Sequence, residues 1–485
     1  MTALSPLLIP ALLGYFALTT LLQSAPIRHK NLFLTAASLP TGFGICSVIL
    51  FISLWIIPSH AKLISISASI GATLTLGGFF LLERLRAGQP HMAPHSLPGP
   101  KILFQKFLSN IPRSKEAILK LAVRSVSILI FLAALWAIIQ FFTLSVSTNI
   151  TGGWDARYMW SLKAKFMFRS PIDWQTMFSQ KLLWTHPDYP LLWPGTLAWG
   201  WNCLGQESLL WPPWASLCFY ISCALILVWY LTAHVSLVTG CLSGTFFLVL
   251  TPPLFWSIHQ YADIPVTFFM TASGLMLITA LRSGQARLFW LSGLMAGFAA
   301  WTKNEGVLFL LWTGILLGGL KVLKKRAPSV TLSSLKAFLG GVFLPLLWIL
   351  AFKIFLGKTG DYFGAERSAQ DYLTLVFLGL KSGPMILQAF WNQMSGFPAW
   401  KGLWSFFFLA CFVLPFKKRT NGCEGLLLAL IFLINLDYIL AFLTTPNDLK
   451  WHLQTALERL LIHTTPLALA FSFEMLTFRR NIPLK

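Results

Sequence analysis

Apolar stretches of about 20 residues recur from one end of this chain to the other, and that recurrence decides most of what it can become. An α-helix rises 1.5 Å per residue, so about 20 apolar residues are needed to cross a hydrocarbon layer roughly 30 Å thick. Val126–Val146, Leu242–Ile258 and Leu426–Leu443 approach that length. Charged residues are only 11% of the chain, against about 25% in soluble domains. A soluble core cannot absorb so many long apolar segments. Within lipid, every backbone N–H and C=O must be satisfied internally, which leaves helices or closed barrels. Continuous apolar runs, without strict alternation, select helices. The expected fold class is therefore all-α, a polytopic membrane protein.

The net charge of +21 suggests nucleic acid in a soluble protein. Here the basic residues fall in the connections between apolar runs, where positive charge holds loops on the cytoplasmic side, and no nucleic-acid motif accompanies them. The seven cysteines (46, 203, 218, 223, 241, 411 and 423) lie mostly inside apolar runs and form no CxxC pair. Neither a zinc site nor a disulfide framework is indicated. The first 22 residues lack a basic leader and are read as a retained membrane helix.

Apolar runs and basic clusters together define a topology. Expected spans are 3–22, 33–57, 62–82, 121–145, 208–233, 236–257, 263–281, 287–302, 306–322, 335–357, 399–416, 425–444 and 451–477. The loops 23–32, 84–120, 282–287, 321–336, 417–419 and 479–485 hold more than half of all Lys and Arg and are placed in the cytoplasm. Asp155, Asp173, Asp188, Asp263, Glu305, Asp361, Glu366, Asp371 and Asp448 fall in the other connections. Thirteen spans satisfy every basic cluster, with the N-terminus outside. Residues 190–204 are apolar but short; a span there would flip each later cluster outward, so they are expected to be re-entrant or interfacial. The organisation is three leading helices in 1–83, a basic cytoplasmic loop at 84–120, a core at 121–477 with long outer loops at 146–190 and 358–398, and a tail at 478–485. Gly293/Gly297 and Gly314/Gly318 have the spacing of close helix contacts.

Ionisable residues near membrane depth are costly and tend to mark function. Five segments carry them, all on the side predicted to be outer. In WDARYMWSLKAK (154–165), Asp155 is a candidate base, with Arg157, Lys163 or Lys165 near a phosphate; an interfacial helix with snorkelling lysines is the alternative. HPDYPLLWP (186–194) offers His186 and Asp188 between prolines, in a loop that needs neither to reverse the chain. QYADIP (260–265) contains Asp263, either a site residue or a helix cap before Pro265. In WTKNEG (301–306), Lys303 and Glu305 either pair with each other or hold a phosphate and its counter-charge. In DLKWHLQTALERLLIHTTP (448–466), Arg459 lies about 12 Å along a helix from Trp451. Glu458, His463 and Asp437 are its expected partners if it only forms an internal pair. Arg also grips phosphate bidentately.

Taken in order, Asp155 after the first core span, the proline-rich entry, Tyr261-x-Asp263-x-Pro265 and Thr302-Lys303-x-x-Gly306 resemble the GT-C superfamily of multi-spanning glycosyltransferases. They are similar to the protein O-mannosyltransferases and the lipid A aminoarabinose transferases. The likeness covers about 121–477 and includes a last helix with Trp451, His452, Leu453, Thr455, Arg459, Leu460, Leu461 and Pro466 in the WHLxTxxxRLLxxxxP pattern. It implies a sugar donor on a polyprenyl phosphate, bound from the outer leaflet of a bacterial plasma membrane. It implies a glycan, lipid or protein acceptor, and inversion by an outer-loop carboxylate that Asp155 matches. Arg157, Lys163, His186, Asp188, Tyr261, Asp263, Lys303, Glu305, His452 and Arg459 would bind substrate, Lys303 and Arg459 at the phosphate. Many relatives carry two adjacent acids where Asp155 stands alone, so either Asp188 supplies the second carboxylate or a divalent metal is not used.

A transporter or flippase of lipid-linked sugars is the principal rival, because it too needs intramembrane charge. The chain shows no internal repeat, and its acids cluster on one face. The topology predicts that loops 146–190 and 358–398 lie opposite to 84–120. With native cysteines replaced, an impermeant thiol reagent applied to intact cells should label Asp173→Cys and spare Lys101→Cys. Equal labelling would overturn the topology.

Overall fold

The computed structural model describes residues 5–23, 25, 27–86, 114–322, 330–357, 369–416 and 423–477. Most of the 84–120 loop, the 417–419 cluster, residues 358–368 of the second outer loop and the 478–485 tail lie outside the described residues. What is described is helical throughout. The leading helices are α1 (Ser5–Leu21), α2 (Lys30–Ile56) and α3 (Ala61–Arg86). After them come α4 (Lys115–Thr148), α5 (Ser161–Arg169), α6 (Leu192–Leu204), α7 (Trp211–His234), α8 (Leu237–Leu248), α9 (Thr251–Ile258) and α10 (Asp263–Ser283). The chain continues through α11 (Ala286–Thr302), α12 (Asn304–Val322), α13 (Leu332–Phe355), α14 (Ala369–Gly379) and α15 (Gly383–Ser395). It ends with α16 (Phe397–Trp400), α17 (Leu403–Val413), α18 (Cys423–Leu443) and α19 (Leu449–Leu476).

Local chemistry sets many of these ends. Ser114 accepts from the Ala117 N–H to cap α4, and Asp448 accepts from the Trp451 N–H to cap α19; each satisfies an otherwise orphan donor of the first turn. Thr331 and Ser334 form a reciprocal capping box at α13. Pro252 and Pro253 open α9, and the chain bends by 57° between α8 and α9. The expected span 236–257 is therefore broken in two.

Among the described residues, eight helices are long and apolar enough to cross a membrane, nine if the bent pair counts as one span. The chain is a multi-pass membrane protein by these criteria. Each of the thirteen expected segments coincides with helix, but α1 and α17 are shorter apolar helices. Residues 190–204 form α6, whose 13 residues extend only about 20 Å; it is buried along almost its whole length, against α2 and α5. Burial separates the spans into kinds. The apolar window of α10 is 100% buried and that of α4 only 17%, so α10 is the central post and α4 turns its apolar side chains outward, where lipid would meet them.

Close approach at one crossing requires glycine. A Cβ on Gly293 of α11 would lie 2.1 Å from the Phe338 carbonyl oxygen of α13, and one on Gly341 would lie 1.9 Å from the Trp290 carbonyl oxygen. The Gly293/Gly297 spacing thus serves α11–α13 packing. A Cβ on Gly314 or Gly318 would meet nothing within 4 Å, so that pair makes no close helix contact among the described residues.

Arg282, at the C-terminal end of α10, donates to Glu474 (2.6 Å), Glu424 (3.2 Å) and the Tyr230 hydroxyl (3.1 Å), and both ion pairs are almost fully buried. Asp263 and Arg282 are nineteen positions apart, about 28 Å of helix, so the two ends of α10 carry separate charge clusters. Gly341→Leu should push α11 and α13 apart at a cost of about 1–3 kcal/mol, read as a fall in the midpoint of thermal denaturation in detergent, while Gly314→Leu should leave it nearly unchanged.

Candidate functional site

The turn after α4 places Asp155. Gly152 adopts φ +72°, and the Gly153 N–H donates to the His259 carbonyl (3.1 Å). A Cβ on Gly153 would come within 2.6 Å of the Tyr261 ring, so glycine lets that ring close on the turn. The Asp155 N–H then donates to the Tyr261 hydroxyl (3.3 Å). The segment continues as one wide π-turn over Ala156–Trp160 before α5, a local irregularity frequent at functional sites.

The Asp155 carboxylate pairs with Arg459, and each side chain is 20% exposed. The Arg459 guanidinium lies over the rings of Tyr261 (5.1 Å) and Trp256 (5.5 Å), within cation–π reach. Trp256 Nε1 donates to Glu458 (2.8 Å), whose other oxygen accepts from Gln393 (3.0 Å). Arg459 is therefore held by Asp155 and two rings; the expected partners Glu458, His463 and Asp437 are engaged elsewhere, Asp437 accepting from Trp312 (2.6 Å).

Deeper in, Asp263 accepts from Lys303 (3.0 Å) and from His463 Nε2 (3.1 Å). Its side chain makes no cap bond, and Ala262 occupies the cap position of α10. Lys303 also pairs with Glu305 (2.9 Å). His463 Nδ1 shares a hydrogen bond with the Tyr438 hydroxyl (2.8 Å), so the ring bridges Asp263 and Tyr438. Lys303 also stands over the Tyr189 ring (5.7 Å).

Asp188 joins this network through Asn304, which donates to its Oδ2 (2.6 Å). Lys353 donates to the Asp188 carbonyl (2.6 Å) and to Asn304 Oδ1 (2.8 Å). His186 sits at φ +51°, and its carbonyl accepts from Lys163 (2.6 Å). Asp155, Asp188, Tyr261, Asp263, Lys303, Glu305 and Arg459 are thus drawn together at one end of the bundle. Arg157 turns away, its guanidinium beside the Tyr158 ring. His452 lies against Thr445 and Phe442. Asp188 Oδ1, Glu305 Oε2 and Arg459 Nε are buried without a hydrogen-bond partner among the described residues. Asn304, Lys353, Tyr438 and Trp256 were not singled out from the sequence. Lys353 carries one legible signal, as a lysine inside the outer end of an expected span.

Among the described residues no three His, Cys, Asp or Glu side chains converge as a metal ion would require. Asp155 faces Arg459 and Asp188 faces Asn304, an arrangement that does not fit a shared divalent ion. No family model, curated protein or solved structure matches the chain.

Lys163, on α5, is fully buried and its pKa is pushed down to about 7, chiefly by burial and against the attraction of Asp188. Between about 7 and the ordinary lysine value near 10.4, the unfolded chain then binds the extra proton. Stability should rise with pH across that window, by up to about 1.4 kcal/mol per unit. Denaturation midpoints measured from pH 7 to 9.5 should climb for the parent protein and flatten in Lys163→Met. A parent curve that is flat or falls with pH would refute the buried, weakly basic lysine.

Proposed function

We propose that the chain is a membrane glycosyltransferase of the GT-C type, moving a sugar from a polyprenyl-phosphate donor to an acceptor hydroxyl with inversion. In this reading it sits in a bacterial plasma membrane with thirteen spans and its active site outside the cytoplasm. The observation that carries the reading is the partly exposed Asp155–Arg459 pair, standing above a buried network built from four motifs distant in sequence.

An inverting transfer has two electrostatic demands. A base must lie within hydrogen-bond reach of the acceptor hydroxyl, and positive charge must meet the phosphate as its own charge grows. The pair supplies both side by side. In the ligand-free protein Arg459 neutralises Asp155. A lipid phosphate that draws the guanidinium toward itself frees the carboxylate to accept the acceptor proton. The acceptor oxygen then bonds to the anomeric carbon from the face opposite the phosphate, and the C–O bond to phosphate breaks with its electron pair. Products are the glycosylated acceptor, the polyprenyl phosphate and a protonated Asp155, which returns its proton to water. Lys303 is held by Asp263 and Glu305, so in this reading Arg459 carries the contact with the phosphate. The apolar outer faces would accommodate the lipid tail.

The rival, transport or flipping of a lipid-linked sugar, draws support from the broken α8–α9 span, since discontinuous helices recur in transporters. It needs access from each end in turn, and at the opposite end of α10 stands the buried Arg282 cluster.

Asp155→Asn leaves Arg459 a neutral partner and should still reach the membrane. General-base assistance contributes roughly 10²–10⁴ in rate, so turnover with a polyprenyl-phosphate hexose should fall by about that factor. Normal transfer by a correctly inserted Asp155→Asn protein would end the assignment, and Asp188 would become the next candidate.

A further inference from the structure

Three cations border the carboxylate network, and they differ in what already holds them. Arg459 has Asp155. Lys303 has two carboxylates, Asp263 and Glu305, at 3.0 and 2.9 Å. Lys353, two residues before the end of α13, has no carboxylate within ion-pair distance among the described residues. Its acceptors are two neutral oxygens, the Asp188 carbonyl and Asn304 Oδ1.

The geometry prepares this ammonium. Asn304 donates through Nδ2 to Asp188, which turns its Oδ1 toward Lys353. Two of the three ammonium N–H groups are thereby fixed, and the third is unspent. Lys163 makes a parallel bond to the His186 carbonyl but is wholly buried, so no ligand reaches it. Lys353 is half-buried. On the same face of α13, three and seven residues before it, Leu350 and Leu346 are 47% and 37% exposed, so this ammonium, 5.8 Å from the Phe352 ring centroid, adjoins an apolar surface.

We infer that Lys353 is a phosphate-binding residue: its free N–H and charge receive a non-bridging oxygen of a lipid-borne phosphate whose tail lies along Leu350 and Leu346. This deepens the glycosyltransferase reading and rests on it. The same chemistry would take free phosphate, so the source must be tested. Asn304 and Asp188 act as positioning residues, holding the ammonium in place.

The test uses the purified full chain in detergent, with binding of undecaprenyl phosphate followed by tryptophan fluorescence and inorganic phosphate as competitor. Lys353→Gln retains a donor for the Asp188 carbonyl but no charge, and it should weaken undecaprenyl phosphate at least about tenfold, a charged hydrogen bond being worth roughly 1.5–3 kcal/mol. Lys353→Arg should retain most of the affinity, and thermal midpoints should stay near the parent value. Equal affinity in Lys353→Gln and the parent would overturn the inference while leaving the transferase reading intact. A parent that binds only inorganic phosphate, in a Lys353-dependent way, would keep the phosphate site but remove the lipid donor, and with it the reading. Binding of neither ligand overturns both. If Lys353→Gln loses affinity only together with stability, while Lys353→Ala keeps its fold and its affinity, the lysine does not bind the phosphate and the inference fails.

Discussion

The site depends on compensating charge that has been taken out of water. Asp263 is buried at the start of the most enclosed helix in the protein. An uncompensated carboxylate there would face a desolvation cost of several kcal/mol. Lys303 and His463 meet it with direct hydrogen bonds, and each comes from a different helix boundary or helix. The pairing therefore fixes the junction of α11 and α12 and the middle of α19 against the head of α10. Removing one partner would strand the other, which is why such networks rigidify a structure only when every member is satisfied.

Around that fixed centre, Lys303 and Asp263 are sealed, while Asp188, Lys353, Asp155 and Arg459 are half-buried. The Arg459 guanidinium is seated on Trp256 and Tyr261 as well as paired with Asp155. Trp256 is itself anchored through Glu458 to Gln393 of α15, which ties α15 to the same guanidinium.

At the other end of α10, Arg282 repeats the logic with two glutamates and a tyrosine. Two buried charge clusters about 28 Å apart on one helix pin both ends of the core, and the segment between them is apolar except for small hydroxyl residues such as Thr267, Thr271 and Ser273. The broken α8–α9 pair packs beside this rigid post and leads directly into Tyr261.

The sequence by itself determined the helical, membrane-spanning class and most helix positions, because hydrophobic length is a local property. Residues 263–281 were expected as a span, and Asp263–Ser283 is the helix. It also isolated the segments that hold the site residues, because a charge beside hydrocarbon stands out. Only the tertiary structure decided who pairs with whom. Arg459 meets Asp155 across 304 residues of chain, while the near neighbours Glu458 and His463 bind elsewhere. Helix phase explains the difference: at 3.6 residues per turn, Glu458 and Arg459 point about 100° apart, so adjacency in sequence separates them in space. Asn304 and Lys353 were passed over for the same reason. Their meaning lies in the Asp188 turn they grip, and that turn is brought to them by folding rather than by any local pattern.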